Sequence, residues 1–330
     1  MKPRKLLALI DNPAGSEHPV LRRTCSLAKD FGADVHLYAV AYNSQLAGQA
    51  VKNEQDRERM IAILVEKRLD NMAVLADRVA QQGIDCSYSV AWDYPAHESL
   101  ARTVANGGYD LVLFGSFGRV SAGKQSILSQ TDWQTLANCP APCLLVRTSG
   151  MNPYNSVLAA IDPMHGNKTT AALDAEIIET GKLMSHTFGA SLRILHAYRP
   201  IAGEAEFPVE GEILPIDLTE KSMQKSMEKE LREVARAHEL DPGTMLLRHG
   251  RPAETILQAI AETFADLLVM GAISRGRVRD WVIGSTAEEV IGDLDCDLLA
   301  IKPAGFRARL GKPSKHHLLL DGYRAAYEAA

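Results

Sequence analysis

The sequence lacks most of the features that mark a specialised class of protein. Only five of its 330 residues are cysteine, 6% are aromatic, and basic residues are fewer than acidic ones, 36 against 41. An odd, small number of cysteines provides no disulfide framework, and no Cys or His pair has the spacing of a zinc site, so we expect no structural metal. With a net charge of −5, the chain has no electrostatic reason to bind nucleic acid or an anionic membrane.

Long apolar runs are missing as well. The run nearest the N-terminus covers only residues 6–10 before Asp11 interrupts it, whereas a signal peptide needs about 7–15 apolar residues and a membrane span about 20. We therefore expect a cytoplasmic protein. The hydrophobic and charged fractions, 46% and 23%, are ordinary for a globular chain, and the length corresponds to about two domains of roughly 150 residues.

The chain contains two copies of one pattern. The segment "LLALID" ending at Asp11 matches "VLAAID" ending at Asp162, and "FGADVHLYAV" matches "FGASLRILHAY". Further along, "YDLVLFG" matches "ADLLVMG", and "TDWQTLANCPAPCLLVR" matches "TAEEVIGDLDCDLLAIK". The matching blocks occur in the same order, about 156 residues apart, which indicates a duplicated domain.

Short apolar runs alternate with helical segments in each copy. Strands are predicted at residues 5–10, 34–40, 86–91, 110–114 and 143–147, and again at 156–161, 191–197, 244–248, 266–270 and 297–301. Near-continuous apolar strands separated by helices are typical of a parallel sheet that is buried on both faces. The pattern predicts an α/β protein of two tandem doubly wound domains. We place these domains at residues 1–148 and 156–303, followed by a C-terminal tail at 304–330.

In a doubly wound sheet, ligands bind beyond the carboxyl ends of the strands, where the strand order switches. In the second copy these positions are Asp162 and the loop 271–291. Gly284 and Ser285 precede an apolar-periodic helix, so Ser285 or Thr286 is expected to cap that helix while its first N–H groups face the loop. Such a helix end suits phosphates. On the loop alone, a tight turn with an ordinary N-cap explains the glycine equally well.

The spacing in this loop resembles that of the universal stress proteins. The ATP-binding members of that family carry Gly, two residues, Gly, nine residues, and then Gly-Ser or Gly-Thr. Gly271, Ser274 and Gly284-Ser285 fit this pattern except at Ser274. The resemblance covers nearly the whole chain up to about residue 303, and the duplication looks most like that of the tandem, E-type members.

The resemblance implies a fold and a ligand. Each domain would be Rossmann-like, of the adenine nucleotide alpha hydrolase-like type, with five parallel strands in the order 3-2-1-4-5. ATP, together with magnesium, would bind weakly in the second domain, where Asp162 would meet the adenine or ribose and Ala197 would line the adenine pocket. If the family glycine has a positive φ, Ser274 costs about 1–2 kcal/mol of local strain. Gly276 would absorb part of that change.

The first copy keeps only part of the motif. Asp11, Gly115 and Gly118 match it, but ten residues follow Gly118, and Ser129 replaces the glycine of Gly-Ser. The segment "GRVSAGKQS" resembles a P-loop, yet Gln125 stands where Ser or Thr should hold magnesium, and the loop does not follow the first strand. We interpret this segment as the drifted phosphate loop of a degenerate site.

No catalytic motif accompanies these loops. A nucleophile elbow, a His-Glu-x-x-His motif and the phosphate loop of the ATP pyrophosphatases are all absent from the sequence. We therefore expect a non-enzymatic stress-response factor that binds ATP or a related ligand in its second domain. Two alternatives stay open: a sensor or scaffold that holds another small molecule, an apolar one included, and a slow ATPase. Residues 198–218 are a candidate lid over the ligand.

The fifth predicted strands, 142–147 and 297–302, suggest how the domains pair. Because an exposed apolar strand edge invites aggregation, we expect each edge to cover the other in an intramolecular pseudo-dimer. Homodimerisation of the whole chain stays open. A small-molecule ligand is the other expected partner, and neither nucleic acid nor a membrane is expected.

Overall fold

The chain divides into two compact units. Unit 1 comprises Met1–Pro153 and Phe306–Ala330, and unit 2 comprises Tyr154–Gly305. The computed structural model describes residues 2–48, 51–115, 129–147, 153–164, 168–199, 216–275, 281–308 and 310–327. The P-loop-like segment with Gly118, the position of Gly276 and most of the candidate lid lie outside the described residues. None of the described helices has the length and apolar character needed to cross a membrane.

Unit 1 is built on a parallel sheet. Its elements are β1 (Lys5–Leu9), α1 (Pro19–Phe31), β2 (Asp34–Ala41), α2 (Ser44–Ala47), α3 (Glu54–Ala80), β3 (Cys86–Trp92), α4 (Ala96–Gly107), β4 (Leu111–Phe114), α5 (Gln130–Asn138) and β5 (Cys143–Leu145). These strands lie in the order β3-β2-β1-β4-β5. Leu6, Leu7 and Ala8 of the central strand β1 are completely buried, as its continuous apolar run predicts.

Unit 2 repeats this arrangement. Its elements are β6 (Ser156–Ala160), α6 (Lys168–Phe188), β7 (Ser191–Tyr198), α7 (Ile216–Ala237), β8 (Met245–His249), α8 (Pro252–Thr263), β9 (Leu267–Gly271), β10 (Ile273–Arg275), β11 (Trp281–Ile283), α9 (Ser285–Asp293) and β12 (Asp297–Ile301). The parallel strands lie in the order β8-β7-β6-β9-β12, and β10 and β11 form a separate hairpin. The prediction of two tandem α/β domains with parallel sheets is confirmed.

The C-terminal segment, which the sequence predicts only as a tail at 304–330, contributes a further strand to unit 1. This strand, β13 (Leu318–Arg324), runs antiparallel to β3 and lies at the edge of its sheet. Polar contacts attach the segment before β13 and at the last residue of that strand. Asp93 Oδ1 accepts the N–H of Ser314 at 3.0 Å, and Arg324 Nε donates to Asp77 Oδ1 at 2.7 Å. The tail is therefore an integral part of unit 1.

Local sequence explains where several helices begin and end. Helix α1 has Pro19 in its first turn, where the missing N–H of proline costs no hydrogen bond. It ends at Gly32, whose φ of 61° is left-handed and favours a residue without a Cβ. Helix α8 likewise begins at Pro252. A proline thus marks the start of both helices, and a glycine marks the end of α1, whereas α8 ends at Phe264, which is itself left-handed with a φ of 50°.

All five cysteines are free and buried. Burial raises the pKa of Cys25 to about 11 and raises the pKa values of Cys86 and Cys296 to about 12. Because the thiolate is the reactive form of cysteine, these thiols are inert packing groups in the folded protein.

Candidate functional site

The carboxyl ends of neighbouring strands bring three predicted site residues of unit 2 to one edge of the sheet. Strand β6 pairs with β7 on one side and with β9 on the other. When this register is continued beyond Ala160, Asp162 lies beside Ala197 of β7. On the other side, Asp162 lies one residue beyond the position that is beside Gly271 of β9. This is the place where the strand order switches, as expected for a ligand site in such a sheet.

Asp162 is held at this edge by its backbone. Its N–H donates to Asp174 Oδ1 at 3.1 Å, and its Oδ1 lies 3.9 Å from His196 Nδ1. His196 Nδ1 is also 3.3 Å from the carbonyl oxygen of Ile161. Asp174 and His196 are buried, whereas the side chain of Asp162 keeps 48% of its surface exposed. The two buried side chains therefore fix the end of β6 and leave the Asp162 carboxylate accessible to a ligand.

The loop after β9 folds back as the β10–β11 hairpin, in which Ser274 lies opposite Val282. A strand backbone suits serine, so the strain that a positive φ would have caused at Ser274 does not arise. The backbone N–H of Gly284 donates to the carbonyl oxygen of Ala272 at 3.1 Å, which closes the loop. The hairpin thus returns the chain from the end of β9 to the start of α9.

Helix α9 begins directly after Gly284. Gly284 is the N-cap residue, with φ −69° and ψ 147°, and no side chain caps the helix. The expectation that Ser285 or Thr286 caps α9 is wrong, because both are already helical, as its first two residues. The first N–H groups of α9 therefore have no capping side chain among the described residues. Such a helix end attracts anions, since its backbone N–H groups and the helix dipole both favour negative charge.

Gly271 has a packing reason for being glycine. A Cβ at this position would lie 2.8 Å from Cδ2 of Leu173, a residue of α6. The absence of a side chain lets α6 approach the end of β9 closely. Gly271 therefore contributes to the shape of this edge whether or not it contacts a ligand.

The corresponding helix of unit 1 has an occupied N-terminus. Ser129 is the N-cap of α5, and its Oγ accepts the N–H of Asp132 at 3.2 Å. In return, Asp132 Oδ2 accepts the N–H of Ser129 at 2.8 Å, which completes a capping box. Asp132 is only 2% exposed. Its carboxylate lies at the N-terminus of α5, where the helix dipole favours negative charge, so this helix end has an anion of its own.

A small cavity lies at the switch point of unit 1. The described residues there border a cavity of about 70 Å³, and Asp11 and Gly115 lie in its wall. Pockets for ligands of drug size measure about 300–1,000 Å³. The Arg68 guanidinium donates to the backbone oxygen of Asp11.

The sequence analysis did not identify three residues at the candidate sites of the two units: Asp132 in unit 1, and Asp174 and His196 in unit 2. A signal existed for Asp132, because "SQTD" has the Ser-x-x-acid spacing of a capping box. Asp174 and His196 had no local signal. They meet the end of β6 from a helix and from a neighbouring strand, so only the folded chain brings them there.

Comparison with known proteins agrees with this organisation. The family profile described as "Universal stress protein family" matches residues 2–147 and 153–302. Universal stress protein E homolog of Haemophilus influenzae is 24% identical over 316 residues, which cover 92% of this chain and 99% of that protein. Universal stress protein E of Escherichia coli K12 is 26% identical over 309 residues, which cover 91% of this chain and 94% of that protein.

Solved structures share the fold. A functionally unknown protein from Pseudomonas aeruginosa PAO1 matches with a TM-score of 0.70 at 20% identity, covering 91% of this chain and 93% of that one. A universal stress protein from Archaeoglobus fulgidus matches with a TM-score of 0.61 at 18% identity, covering 90% of this chain and 98% of that one. At these identities the likeness concerns the fold alone.

Proposed function

This chain belongs to the universal stress protein family, and we propose that it is a cytoplasmic, non-enzymatic stress-response factor whose unit 2 binds ATP or a related nucleotide weakly. The observation that carries this proposal is the start of α9, where Gly284 leaves the helix without a side-chain cap. The matching helix of unit 1 is closed by its own carboxylate. Five free thiols fit a reducing compartment such as the cytoplasm.

The phosphates would lie at the start of α9. A helix N-terminus carries roughly half a positive charge, and Gly284 has no side chain to keep a phosphate from the N–H groups of Ser285 and Thr286. Ser285 is exposed, so its hydroxyl is also accessible. Glu288 is an acidic residue in the same first turn, and its repulsion of phosphate is one reason to expect weak binding.

The nucleoside would lie along the edge of the sheet. The exposed carboxylate of Asp162 is suited to accept hydrogen bonds from ribose hydroxyls or from an adenine amino group. Ala197, level with it on β7, offers a small apolar surface for the base. Because Asp174 and His196 fix the end of β6, this part of the site is preorganised, which reduces the entropy lost on binding.

We propose binding without turnover. Phosphoryl transfer needs side chains that hold a metal and a group that positions the attacking water. Among the described residues, the cluster of ligand atoms close enough for a metal is Glu54, Glu58 and His316, all of unit 1. Magnesium would therefore enter unit 2 with ATP, held by the phosphates.

Calorimetry with ATP and magnesium tests the assignment. We expect one weak site, and we expect Gly284→Val to remove it, since the valine side chain blocks the approach of phosphate. The φ of −69° and ψ of 147° at this residue suit valine, so the helix should persist. Gly292→Val, in the same helix, is the matched control, because a Cβ there meets no atom within 4 Å.

Two results would overturn the assignment: two equal sites per chain, or unchanged ATP binding by Gly284→Val. Native mass spectrometry of the protein purified from cells identifies the ligand itself. A co-purifying adenine nucleotide supports the proposal. A co-purifying apolar molecule that is lost in Gly284→Val would instead support the sensor or scaffold function.

A further inference from the structure

Two glutamates lie on one face of helix α3 at its N-terminal end. Glu54 is the first residue of the helix and Glu58 follows four residues later, a spacing that places helical side chains one above the other. Both residues are exposed. Like charges at this spacing repel each other and destabilise a helix slightly. A cation held between the two carboxylates would remove that repulsion.

His316 of the C-terminal segment lies next to these carboxylates. One ligand atom from each of Glu54, Glu58 and His316 lies within 4.8 Å of the other two. Within the part of the chain that the structure describes, no other group of three His, Cys, Asp or Glu side chains comes this close together. The sequence predicts no such site, because His316 and α3 stand near opposite ends of the chain.

The turn that carries His316 is anchored to unit 1 at both of its ends. The N–H of His317 donates to the carbonyl oxygen of Ser314 at 3.0 Å, which closes a turn over residues 314–317. Asp93, which is completely buried, accepts the N–H of Ser314 at 3.0 Å and lies 3.4 Å from Nδ1 of His317. The backbone therefore holds the half-buried His316 beside α3, which reduces the entropy lost when its imidazole binds a ligand.

The same place already attracts a cation from the protein itself. Lys315 Nζ lies 3.1 Å from Glu54 Oε1, and the two side chains are 76% and 56% exposed. The hydrogen bond from Lys315 lowers the pKa of Glu54, so this carboxylate is charged at neutral pH. Exposed ion pairs contribute little stability. A metal ion can therefore displace the ammonium group of Lys315 at small cost.

One imidazole nitrogen and two carboxylate oxygens form a ligand set that favours a divalent transition metal. Calcium and magnesium prefer oxygen ligands alone, whereas imidazole suits zinc, copper and nickel. Zinc binds His nitrogen and Glu oxygen at about 2.0–2.2 Å, so the ligand atoms around a tetrahedral zinc ion are about 3.4 Å apart. The three side chains need to close by about 1.5 Å or less, which small rotations about their side-chain bonds provide.

We propose that Glu54, Glu58 and His316 bind a divalent transition-metal ion such as zinc, and that this ion fastens the C-terminal segment to α3. Three protein ligands leave the fourth position of the ion to water. The ligands come from two parts of unit 1 that are distant in sequence, so the ion should bind only when β13 is attached and should stabilise that attachment. The proposal does not depend on the nucleotide site proposed for unit 2.

Calorimetry of the full chain with zinc chloride, in a buffer that does not bind metals, tests the site. We expect one zinc ion per chain at micromolar concentration, and at least ~10-fold weaker binding of calcium and of magnesium. Glu58→Gln and His316→Ala should each weaken zinc binding at least ~10-fold, since each removes one ligand. Glu66→Gln, an exposed glutamate of α3, and His186→Ala, an exposed histidine of α6, are the controls and should bind zinc as the parent does.

Hydrogen exchange of β13 tests whether the ion fastens the C-terminal segment. Zinc should slow the exchange of β13 in the parent and leave it unchanged in His316→Ala. The comparison of the parent with and without zinc uses the unaltered protein, so it holds even if a variant folds poorly. Absence of zinc binding at micromolar concentration, equal binding of calcium or magnesium, or an unchanged zinc affinity in either ligand variant would overturn the site. Zinc binding that leaves the exchange of β13 unchanged would overturn the fastening role.

Discussion

Ser129 and Asp132 cap each other at the start of α5: Asp132 donates its N–H to Ser129 Oγ at 3.2 Å, and Ser129 donates its N–H to Asp132 Oδ2 at 2.8 Å. When Thr131 is aligned with Thr286, the corresponding residues of unit 2 are Gly284 and Ala287. Neither has a side chain that can make these bonds. The same helix end is therefore closed in one copy and open in the other, because two residues differ.

Transfer of the capping box into unit 2 should close the proposed nucleotide site. In the double variant Gly284→Ser with Ala287→Asp, the new carboxylate would occupy the helix N-terminus and repel phosphate, so we expect ATP binding to weaken at least ~10-fold. Calorimetry measures the affinity. The single variant Ala287→Ser introduces a polar side chain without charge and is the control. An unchanged affinity in the double variant would show that phosphate does not bind at α9.

Removal of the capping box should destabilise unit 1. Ser129→Gly with Asp132→Ala leaves the first N–H groups of α5 without their side-chain acceptors, and we expect the free energy of unfolding to fall by about 1–2 kcal/mol. Urea denaturation followed by circular dichroism provides the measurement. Asp70→Ala, an exposed aspartate in the middle of α3, should change it by much less. Equal losses in both variants would contradict a capping role.

The unaltered protein should not hydrolyse ATP. With ATP and magnesium, we expect phosphate release no faster than in Gly284→Val, because the described residues of unit 2 contain no cluster of ligand atoms close enough to hold a metal for phosphoryl transfer. A sensitive phosphate assay over several hours is sufficient. Release that depends on Gly284 would favour the slow ATPase over the binding function.

The attachment of the C-terminal segment to the rest of unit 1 should weaken at acid pH. Burial acts to raise the pKa of Asp93, but hydrogen bonds from the N–H of Ser314 and from Arg102 outweigh it, and the pKa is lowered. A carboxyl whose folded pKa is depressed stabilises the fold fully above its unfolded value of about 3.9, and this stabilisation is lost as the pH falls through the folded value. We therefore expect β13 to be attached at pH 5–7 and to loosen below about pH 4.

Hydrogen exchange of β13 measures this attachment. Asp93→Asn should raise its exchange already at pH 7 and flatten its pH dependence, because the carboxylate is then absent at every pH. His317, whose Nδ1 lies 3.4 Å from Asp93 Oδ2, is retained in this comparison. Asp70→Asn serves as the control. Identical exchange in Asp93→Asn and the parent would contradict the role assigned to Asp93.

Each unit produced alone should associate with itself. The fifth strand of each sheet is short, buried and largely apolar; these strands are Cys143–Leu145 in unit 1 and Asp297–Ile301 in unit 2. An uncovered strand edge of this kind pairs readily with another chain. We expect dimers or aggregates of residues 154–305 by light scattering, and a well-behaved whole chain. Soluble, strictly monomeric units would contradict the predicted pseudo-dimer.

Much of the site in unit 2 could be predicted from local spacing. Asp162, Gly271 and Gly284 were located because each ends a strand or begins a helix, and periodicity reveals those boundaries. The cap of α9 was assigned to the wrong residue, because a glycine that precedes Ser-Thr gives no sequence sign of which backbone first becomes helical. The strain considered for a left-handed Ser274 does not arise for a related reason: its backbone is extended because it pairs with β11, and no apolar alternation in the sequence indicates that strand.

The sequence by itself determined the duplication, the strand and helix pattern and the family, because each depends on residues close together in the chain or on blocks repeated in one order. The tertiary structure alone decided the features that join distant residues. It placed β13 beside β3, where Ser314 meets Asp93, and it brought His316 of the C-terminal segment close to Glu54 of α3. Contacts of this kind leave no local pattern, since the hydrogen bond or the cluster of side chains exists only when the chain has folded.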